Sequence, residues 1–178
     1  LNFLDDRKRV LEAEKNEQKT LLFTIATTAG AGTGCTPYAI VTDEKTGVPW
    51  QIYHPELLPT ACIIDANHMK CLPKGLTREG GMSTLTQALE SYLSLCAADE
   101  TDGFALFSCK NVLHYLPRAY DRLEEDEAAR RKLADASALA GMAAANTFPG
   151  LVSSMACALS AWHHLPYGVS CGILLPEV

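Results

Sequence analysis

Residues 20–34 read Thr-Leu-Leu-Phe-Thr-Ile-Ala-Thr-Thr-Ala-Gly-Ala-Gly-Thr-Gly. The apolar and β-branched residues at 20–26 predict a buried strand, because such residues fill a pleated segment well. A turn at residues 29–34 follows directly, and its glycines allow backbone N–H groups to approach a phosphate closely. Glycine-rich stretches also serve as plain turns. The pattern therefore predicts the end of an α/β unit, with a phosphate site as one interpretation.

Downstream of this turn, short apolar runs alternate with turn-forming residues. Residues 38–42 and 50–53 predict two short strands on either side of residues 43–47, whose composition favours a turn. Residues 61–65, Ala-Cys-Ile-Ile-Asp, predict another short buried strand. This part of the chain is therefore expected to be rich in short strands.

From Leu76 onward the apolar pattern becomes helical. Helices are predicted at residues 76–97, 100–115, 125–146, 149–162 and 167–176, with breaks at Pro117, Pro149 and Pro166. The acidic residues at 124–127 begin a helix, where negative charge meets the positive end of the helix dipole. The small residues at 140–146 allow close helix contact. The sequence thus predicts an α/β edge in residues 1–60, followed by an all-α helical domain in residues 61–178.

Composition and charge limit the classes of function. The chain has 178 residues, of which 48% are hydrophobic and 20% charged, as in an ordinary globular protein. A net charge of -6 argues against general nucleic-acid binding, which needs a basic surface. No run of 18 apolar residues occurs, so no membrane-spanning helix is expected, and the charged N-terminal segment does not resemble a cleavable signal.

The cysteines indicate a reducing compartment, either the cytoplasm or an organelle interior. Seven cysteines are scattered along the chain without a C-x-x-C pair. An odd, scattered set is typical neither of a disulfide framework nor of a zinc ribbon.

Short motifs extend along nearly the whole chain and together resemble one family. They are residues 3–9, 27–32, 36–43, 45–47, 58–59, 64–65, 72–74, 81–82, 88–92, 115–120, 140–143 and 163–166. These motifs resemble the iron-containing alcohol dehydrogenases, most closely the alcohol-dehydrogenase half of the bifunctional aldehyde-alcohol dehydrogenases. The resemblance implies a dehydroquinate-synthase-like architecture, in which the α/β edge is the end of a Rossmann-like dinucleotide domain. It also implies that the chain is an internal piece of a longer protein, incomplete at both ends.

The same resemblance places four metal-ligand positions on residues that are poor ligands. In the family, iron or sometimes zinc is held by an aspartate and a histidine four residues apart, and by two later histidines fourteen residues apart. These positions correspond to Ser83, Gln87, Ser153 and Tyr167. Serine and glutamine are neutral, weak donors, and a tyrosine must first lose a proton whose ordinary pKa is about 10. The resemblance therefore implies that all four ligands are lost and that iron and zinc are absent.

A relocated metal site is the alternative. Cys157 lies one helical turn after Ser153, and with His163 and His164 it is the nearest candidate donor. A lone cysteine in an Ala/Leu-rich helix is usually a small buried hydrophobe, however. The paired histidines match a family segment at a helix end where no ligation is required.

The dinucleotide contacts are partly kept. The family carries Thr-x-Gly-Thr-Gly-Ser-Glu at the glycine-rich turn and touches the dinucleotide there. Thr27, Thr28, Gly30 and Gly32 match this pattern as vestigial contacts, whereas Ala31 and Gly34 replace a threonine and a glutamate. The diphosphate loop that precedes this region in the family does not occur before residue 20. No cofactor is therefore expected, and NAD binding requires an upstream half of the domain.

Two functional hypotheses result. The first is a degenerate, non-catalytic domain that acts as a structural or assembly subunit, with protein partners or self-assembly in a larger complex, as in the filaments of the bifunctional relatives. The second is an NAD-dependent alcohol or acetaldehyde oxidoreductase whose metal site is relocated or completed by a partner chain. Simultaneous exchange of all four ligands favours the first.

Overall fold

The described part of the chain begins with a short strand that leads into the glycine-rich turn. The computed structural model describes residues 21–30, 32–122 and 125–178. Strand β1 (Phe23–Ile25) pairs in parallel with β4 (Ala61–Ile63), with Thr24 opposite Cys62. The motif at residues 3–9, together with Ala31 and Glu124, lies outside the described residues.

A β-hairpin is inserted between these two parallel strands. Strands β2 (Tyr38–Thr42) and β3 (Pro49–Tyr53) lie on either side of residues 43–47, as predicted, and they pair in antiparallel. One Asp43 side-chain oxygen accepts hydrogen bonds from the backbone N–H groups of Lys45 (2.8 Å) and Thr46 (2.9 Å). Gly47 supplies the positive φ of 69° that closes the turn. Local turn chemistry therefore fixes the hairpin.

The prediction of buried strands at residues 20–26 and 61–65 is wrong in two respects. Strands β1 and β4 contain only three residues each. Phe23, Ile25 and Ile63 are more than half exposed. Within the described residues β1 and β4 form a two-stranded sheet, so each has one strand neighbour. Apolar residues alone do not bury a strand, because burial also needs elements packed on both faces.

In the described residues from 74 onward, five α-helices form the second part of the chain. They are α1 (Lys74–Leu93), α2 (Asp99–Arg122), α3 (Glu127–Thr147), α4 (Leu151–His163) and α5 (Tyr167–Leu174). Leu85, Val112 and Leu133 are buried where α1, α2 and α3 pack together, and the core cluster is otherwise rich in alanine. Small side chains let the helix backbones approach closely, which keeps this bundle tight.

The predicted helix break at Pro117 is wrong, because α2 continues through it to Arg122. Pro117 is exposed, so water can reach the backbone group that a proline leaves without a helical partner. Val112 and Ala119, on either side of it, are buried in the core. Packing of the flanking turns therefore outweighs the cost of the proline. The predicted breaks at Pro149 and Pro166 are confirmed.

Helix α3 starts at a well-formed cap. Asp126 accepts a hydrogen bond from the Ala129 N–H at 3.0 Å and pairs with Arg118 at the end of α2. These interactions, the Ala129 N–H first, hold the pKa of Asp126 below its ordinary value. The acidic residues predicted to start this helix therefore do so through Asp126.

An α/β edge followed by a helical domain is the fold class predicted from the sequence, and it is confirmed. The predicted boundary between residues 60 and 61 stays a prediction. In the part of the chain that the structure covers, no single helix is long and apolar enough to cross a membrane. Helices α3 and α4, bent by 105°, meet that criterion only as a pair and only by length and composition.

Candidate functional site

The glycine-rich turn is pressed against two helices. A Cβ added at Gly30 would lie 2.7 Å from the Gly80 Cα in α1, and one added at Gly32 would lie 2.6 Å from the Gly141 Cα in α3. Gly32 also has a φ of 55°, which favours glycine. Its glycines are therefore needed first for packing, because any side chain at these positions would collide with helix backbone.

All four residues predicted to contact a dinucleotide line one cavity. Thr27, Thr28, Gly30 and Gly32 share a space of about 320 Å³. The Gly32 N–H, however, already donates to the Gly30 carbonyl oxygen (2.8 Å) and to the Ser137 hydroxyl (3.2 Å). The Gly32 N–H is therefore already engaged within the protein.

Ser83 and Gln87 lie one turn apart on α1, as their spacing predicts. Ser83 is buried, and the Gln87 Oε1 atom is shielded from solvent without a hydrogen-bond partner among the described residues. A shielded amide oxygen without a partner is an unfavourable arrangement. These two positions thus present only neutral groups to the interior of the helical domain.

Ser153 is engaged by a carboxylate on α1. The Ser153 backbone N–H donates to Glu90 Oε1 (3.0 Å), and its hydroxyl donates to Glu90 Oε2 (2.5 Å). The Gly150 N–H also donates to Glu90 Oε2, at 3.1 Å. Glu90 therefore accepts from two backbone N–H groups at the start of α4 and places its carboxylate at the positive end of the helix dipole.

Tyr167, the first residue of α5, completes this contact. Its side chain lies close enough to Ser153 and to the Cys171 thiol for both to influence the pKa of the phenol. Burial raises the pKa of Tyr167 far above its ordinary value, so the phenol stays protonated. Burial likewise raises the pKa of Cys171 to about 11. The structure therefore places Ser153 and Tyr167 beside each other as neutral groups.

The alternative donors are only partly brought together. Cys157 and His164 line a second cavity of about 350 Å³ with Tyr167, and His163 is not among its lining residues. Burial raises the pKa of Cys157, which disfavours the thiolate that metals bind. Among the residues with described coordinates, no three histidine, cysteine, aspartate or glutamate side chains are grouped so that they could hold a metal ion.

Sequence reasoning missed Glu90, which belongs to the motif at residues 88–92. Glu90 follows Gln87 by three positions, so the helical spacing places both on one side of α1. Its partners at Gly150 and Ser153 come from another helix, and only the packing of α4 on α1 reveals them. Sequence reasoning also missed the adjacent thiols of Cys35 and Cys62.

Two family descriptions match the chain. "Iron-containing alcohol dehydrogenase" matches residues 3–66, and "Fe-containing alcohol dehydrogenase family, C-terminal" matches residues 77–178. An aldehyde-alcohol dehydrogenase of Clostridium acetobutylicum is 42% identical over all of this chain and 21% of its own length. The bifunctional aldehyde-alcohol dehydrogenase of Escherichia coli K12 is 36% identical over all of this chain and 20% of its own length. The chain thus spans about a fifth of these relatives.

Solved structures of similar fold agree with these matches. The sulfoacetaldehyde reductase of Bifidobacterium kashiwanohense, solved with NAD+, has a TM-score of 0.86 and 28% identity over 91% of this chain and 43% of its own. An iron-containing alcohol dehydrogenase of Thermotoga maritima has a TM-score of 0.84 and 30% identity over 95% of this chain and 45% of its own. In sequence and in fold, the chain belongs to the iron-containing alcohol dehydrogenase family.

Proposed function

We propose that this chain is a non-catalytic member of its family with a structural or assembly role. One observation carries the proposal: Glu90 holds both the backbone N–H and the hydroxyl of Ser153, and the neighbouring Tyr167 is kept protonated by burial. In the proposed alignment both positions belong to metal ligands. The polar groups of Ser153 are therefore satisfied within the protein, without an ion.

The donor chemistry at the four positions does not fit iron or zinc. Ser83, Gln87 and Ser153 offer neutral oxygens, and Tyr167 is held protonated by burial. A divalent ion needs carboxylate, imidazole or thiolate donors to replace its hydration. Glu90 is the nearby carboxylate, but both of its oxygens already accept hydrogen bonds from the start of α4.

A metal assay tests this proposal directly. The purified chain is expected to contain neither iron nor zinc in stoichiometric amount, to show no NAD-dependent ethanol or acetaldehyde turnover with iron added, and to keep its melting temperature in a chelator. Stoichiometric metal together with turnover would overturn the proposal. So would a melting temperature that falls by several degrees when the chelator is added, since a metal bound only to the folded state stabilises it.

Restoring the ligands provides a sharper test of the same four positions. The variant combining Ser83→Asp, Gln87→His, Ser153→His and Tyr167→His is expected to bind iron or zinc and to become sensitive to the chelator. A matched control carries Ser83→Asn with the three histidines and lacks the carboxylate, so it should bind metal more weakly. Equal metal binding by both variants would show that position 83 does not belong to the site.

The assembly role is tested by sedimentation. The native chain is expected to form oligomers whose average mass rises with concentration, or to co-sediment with a full-length bifunctional aldehyde-alcohol dehydrogenase. A chain that stays monomeric at all concentrations and does not co-sediment with that relative would contradict the assembly role. This outcome would leave the prediction of an absent metal untouched.

The second candidate is an NAD-dependent alcohol or acetaldehyde oxidoreductase completed by a partner chain. The cavity shared by Thr27, Thr28, Gly30 and Gly32 favours it. Calorimetric titration with NAD+ tests it, with Thr27→Val as the matched variant that keeps the side-chain shape and removes the hydroxyl. Binding that weakens about tenfold in this variant would support the candidate, as expected for loss of a hydrogen bond to the ligand. Absence of binding in both proteins would count against it.

A further inference from the structure

Two cysteine thiols meet on the wall of the 320 Å³ cavity. Cys35 ends the short 3-10 helix Thr33–Cys35, and Cys62 is the central residue of β4. Both line the cavity, and after burial the nearby Cys62 thiol contributes to raising the pKa of Cys35. A Cβ added at Gly34 would lie 2.7 Å from the Cys62 sulfur. The Cys62 sulfur therefore lies beside residue 34, directly before Cys35, although the two cysteines are far apart in the sequence.

Strand pairing holds this arrangement in place. Thr24 in β1 is opposite Cys62 in the parallel pair, and the Thr24 hydroxyl donates to the Gly34 carbonyl oxygen at 3.2 Å. The pairing of β4 thus fixes Cys62, and the hydrogen bond from Thr24 in β1 fixes Gly34, the residue before Cys35. Both cysteines are half-buried, so a small reagent in the cavity can reach them. The glycine at position 34 leaves room for the Cys62 sulfur.

We propose that Cys35 and Cys62 form a dithiol–disulfide couple that reacts with small-molecule disulfides and covalently joins the turn after the glycine-rich segment to β4. The thiolate of one cysteine attacks a sulfur of a disulfide such as oxidised glutathione. The reagent's S–S bond breaks, one glutathione leaves as a thiolate that takes up a proton, and a mixed disulfide forms. The second cysteine, as its thiolate, then attacks the protein sulfur of that bond and releases the second glutathione. Two electrons pass to the reagent, and one S–S bond replaces another.

The remaining five cysteines provide the comparison. Cys71 and Cys96 are exposed, Cys109 and Cys171 are buried, and Cys157 is half-buried. Cys157 and Cys171 influence each other electrostatically within the helical domain and are the rival pair. Burial first, and then Cys62, raise the pKa of Cys35 to about 11. Exchange is therefore slow at neutral pH, and the reaction has to be followed over hours.

The test treats the native, folded chain with oxidised glutathione and then blocks the remaining thiols in denaturant with N-ethylmaleimide. Before the block, a brief reduction removes glutathione from exposed cysteines. Intact mass is then expected to show two fewer blocked thiols than the seven of the reduced chain. Trypsin separates Cys35 on peptide 20–45, Cys62 on peptide 46–70 and Cys71 on peptide 71–74. A covalent link between the first two peptides supports the proposal. The rival pair would form its bond within peptide 133–178 and join no two peptides.

Two substitutions provide the controls. Cys71→Ser removes one exposed thiol and is expected to keep the joined peptides. Cys35→Ser is expected to lose the link and to retain glutathione on Cys62. Circular dichroism checks that each variant folds, and Cys62→Ala replaces Cys35→Ser if that variant does not. Stable glutathione adducts on both cysteines in the native chain, a link mapped elsewhere, or no loss of thiols would overturn the proposal. None of these measurements depends on metal or NAD binding.

Discussion

Glu90 shows how one side chain can connect two helices at the centre of the candidate site. Its carboxylate accepts three hydrogen bonds from Gly150 and Ser153 at the start of α4, while its own backbone belongs to α1. Hydrogen bonds to a charged group are stronger than those between neutral groups. Glu90 therefore positions α4, and with it Ser153, against α1.

Removal of this carboxylate is expected to destabilise the protein. Glu90→Ala should lower the free energy of unfolding by about 2–3 kcal/mol, because the N–H groups of Gly150 and Ser153 lose their acceptor. Glu90→Gln should lower the free energy of unfolding by less, since its amide oxygen can still accept a hydrogen bond. Urea denaturation measures both values. The exposed Glu44→Ala is the matched control and should stay within about 0.5 kcal/mol of the parent. Equal effects of Glu90→Ala and Glu44→Ala would contradict the capping role.

Phe148 has a strained backbone conformation, and its substitution tests that strain. It follows α3 with φ 64° and ψ 158°, a region used almost only by glycine, while its ring lies 5.3 Å from that of Tyr53. Phe148→Ala loses the ring contact and keeps the strain, whereas Phe148→Gly loses the contact and relieves the strain. Phe148→Gly should therefore be more stable than Phe148→Ala, with a free energy of unfolding about 1–2 kcal/mol higher. An alanine variant as stable as the glycine variant would show that the backbone is not strained there.

At the scale of elements, the packing of the glycine-rich turn on α3 depends on glycine from both sides. A Cβ added at Gly141 would lie 2.8 Å from the Gly32 Cα, whereas one added at Gly103 in α2 would meet nothing within 4 Å. Both glycines lie inside helices, where alanine is intrinsically preferred by about 1 kcal/mol. The same substitution should thus have opposite signs at the two positions.

The two alanine variants test this packing as a matched pair. Gly103→Ala should raise the free energy of unfolding by about 0.5–1 kcal/mol, because it gains helix propensity without a clash. Gly141→Ala should lower it by about 1–3 kcal/mol, because the methyl group forces the turn away from α3. Urea denaturation measures both. Stabilisation by Gly141→Ala would mean that the turn can move away from the helix without loss.

Elements whose causes are local were predictable from the sequence, and those that depend on neighbours were not. The hairpin was predicted because Asp43 and Gly47 form its turn within five residues. The break at Pro117 was predicted wrongly, because an exposed face and buried flanking residues preserve the helix. The buried strands were predicted wrongly, because burial belongs to the surroundings of a strand as much as to its residues.

At the scale of the whole molecule, the α/β edge is attached to the helical domain by several contacts. The Tyr38 hydroxyl in β2 donates to the Ala144 carbonyl oxygen in α3 at 2.7 Å, and the Tyr53 ring in β3 lies 5.3 Å from the ring of Phe148 after α3. Gly30 and Gly32 press on α1 and α3. Two regions joined in this way are expected to unfold together.

A single-tryptophan variant tests this cooperativity. Trp162→Phe leaves Trp50 in β3 as the remaining tryptophan. Its fluorescence should change at the same urea concentration as the far-ultraviolet circular dichroism of the helices. Adding Tyr38→Phe should shift both transitions to the same lower urea concentration. The lost hydrogen bond should lower the free energy of unfolding by about 0.5–1.5 kcal/mol. A fluorescence transition that precedes the loss of helix would show two independent units.

The candidate site was predictable in its positions and less so in its contacts. Helical spacing placed Ser83 and Gln87 on one face of α1, and the resemblance located Ser153 and Tyr167 at the starts of two later helices. The hydrogen bonds of Glu90 and the pairing of Cys35 with Cys62 join segments that are distant in the chain. No spacing rule encodes such contacts, because they arise only when the elements pack.

The bond between Ser153 and Glu90 also has an evolutionary consequence. Under the proposed function, a lineage that regained histidine at position 153 would first lose the hydroxyl that now donates to Glu90. This first reverse substitution would therefore lower the stability of the fold before a bound metal could raise it. Under the same proposal, each contact of this kind adds a stability cost to regaining a ligand, so the loss of the metal would become difficult to reverse.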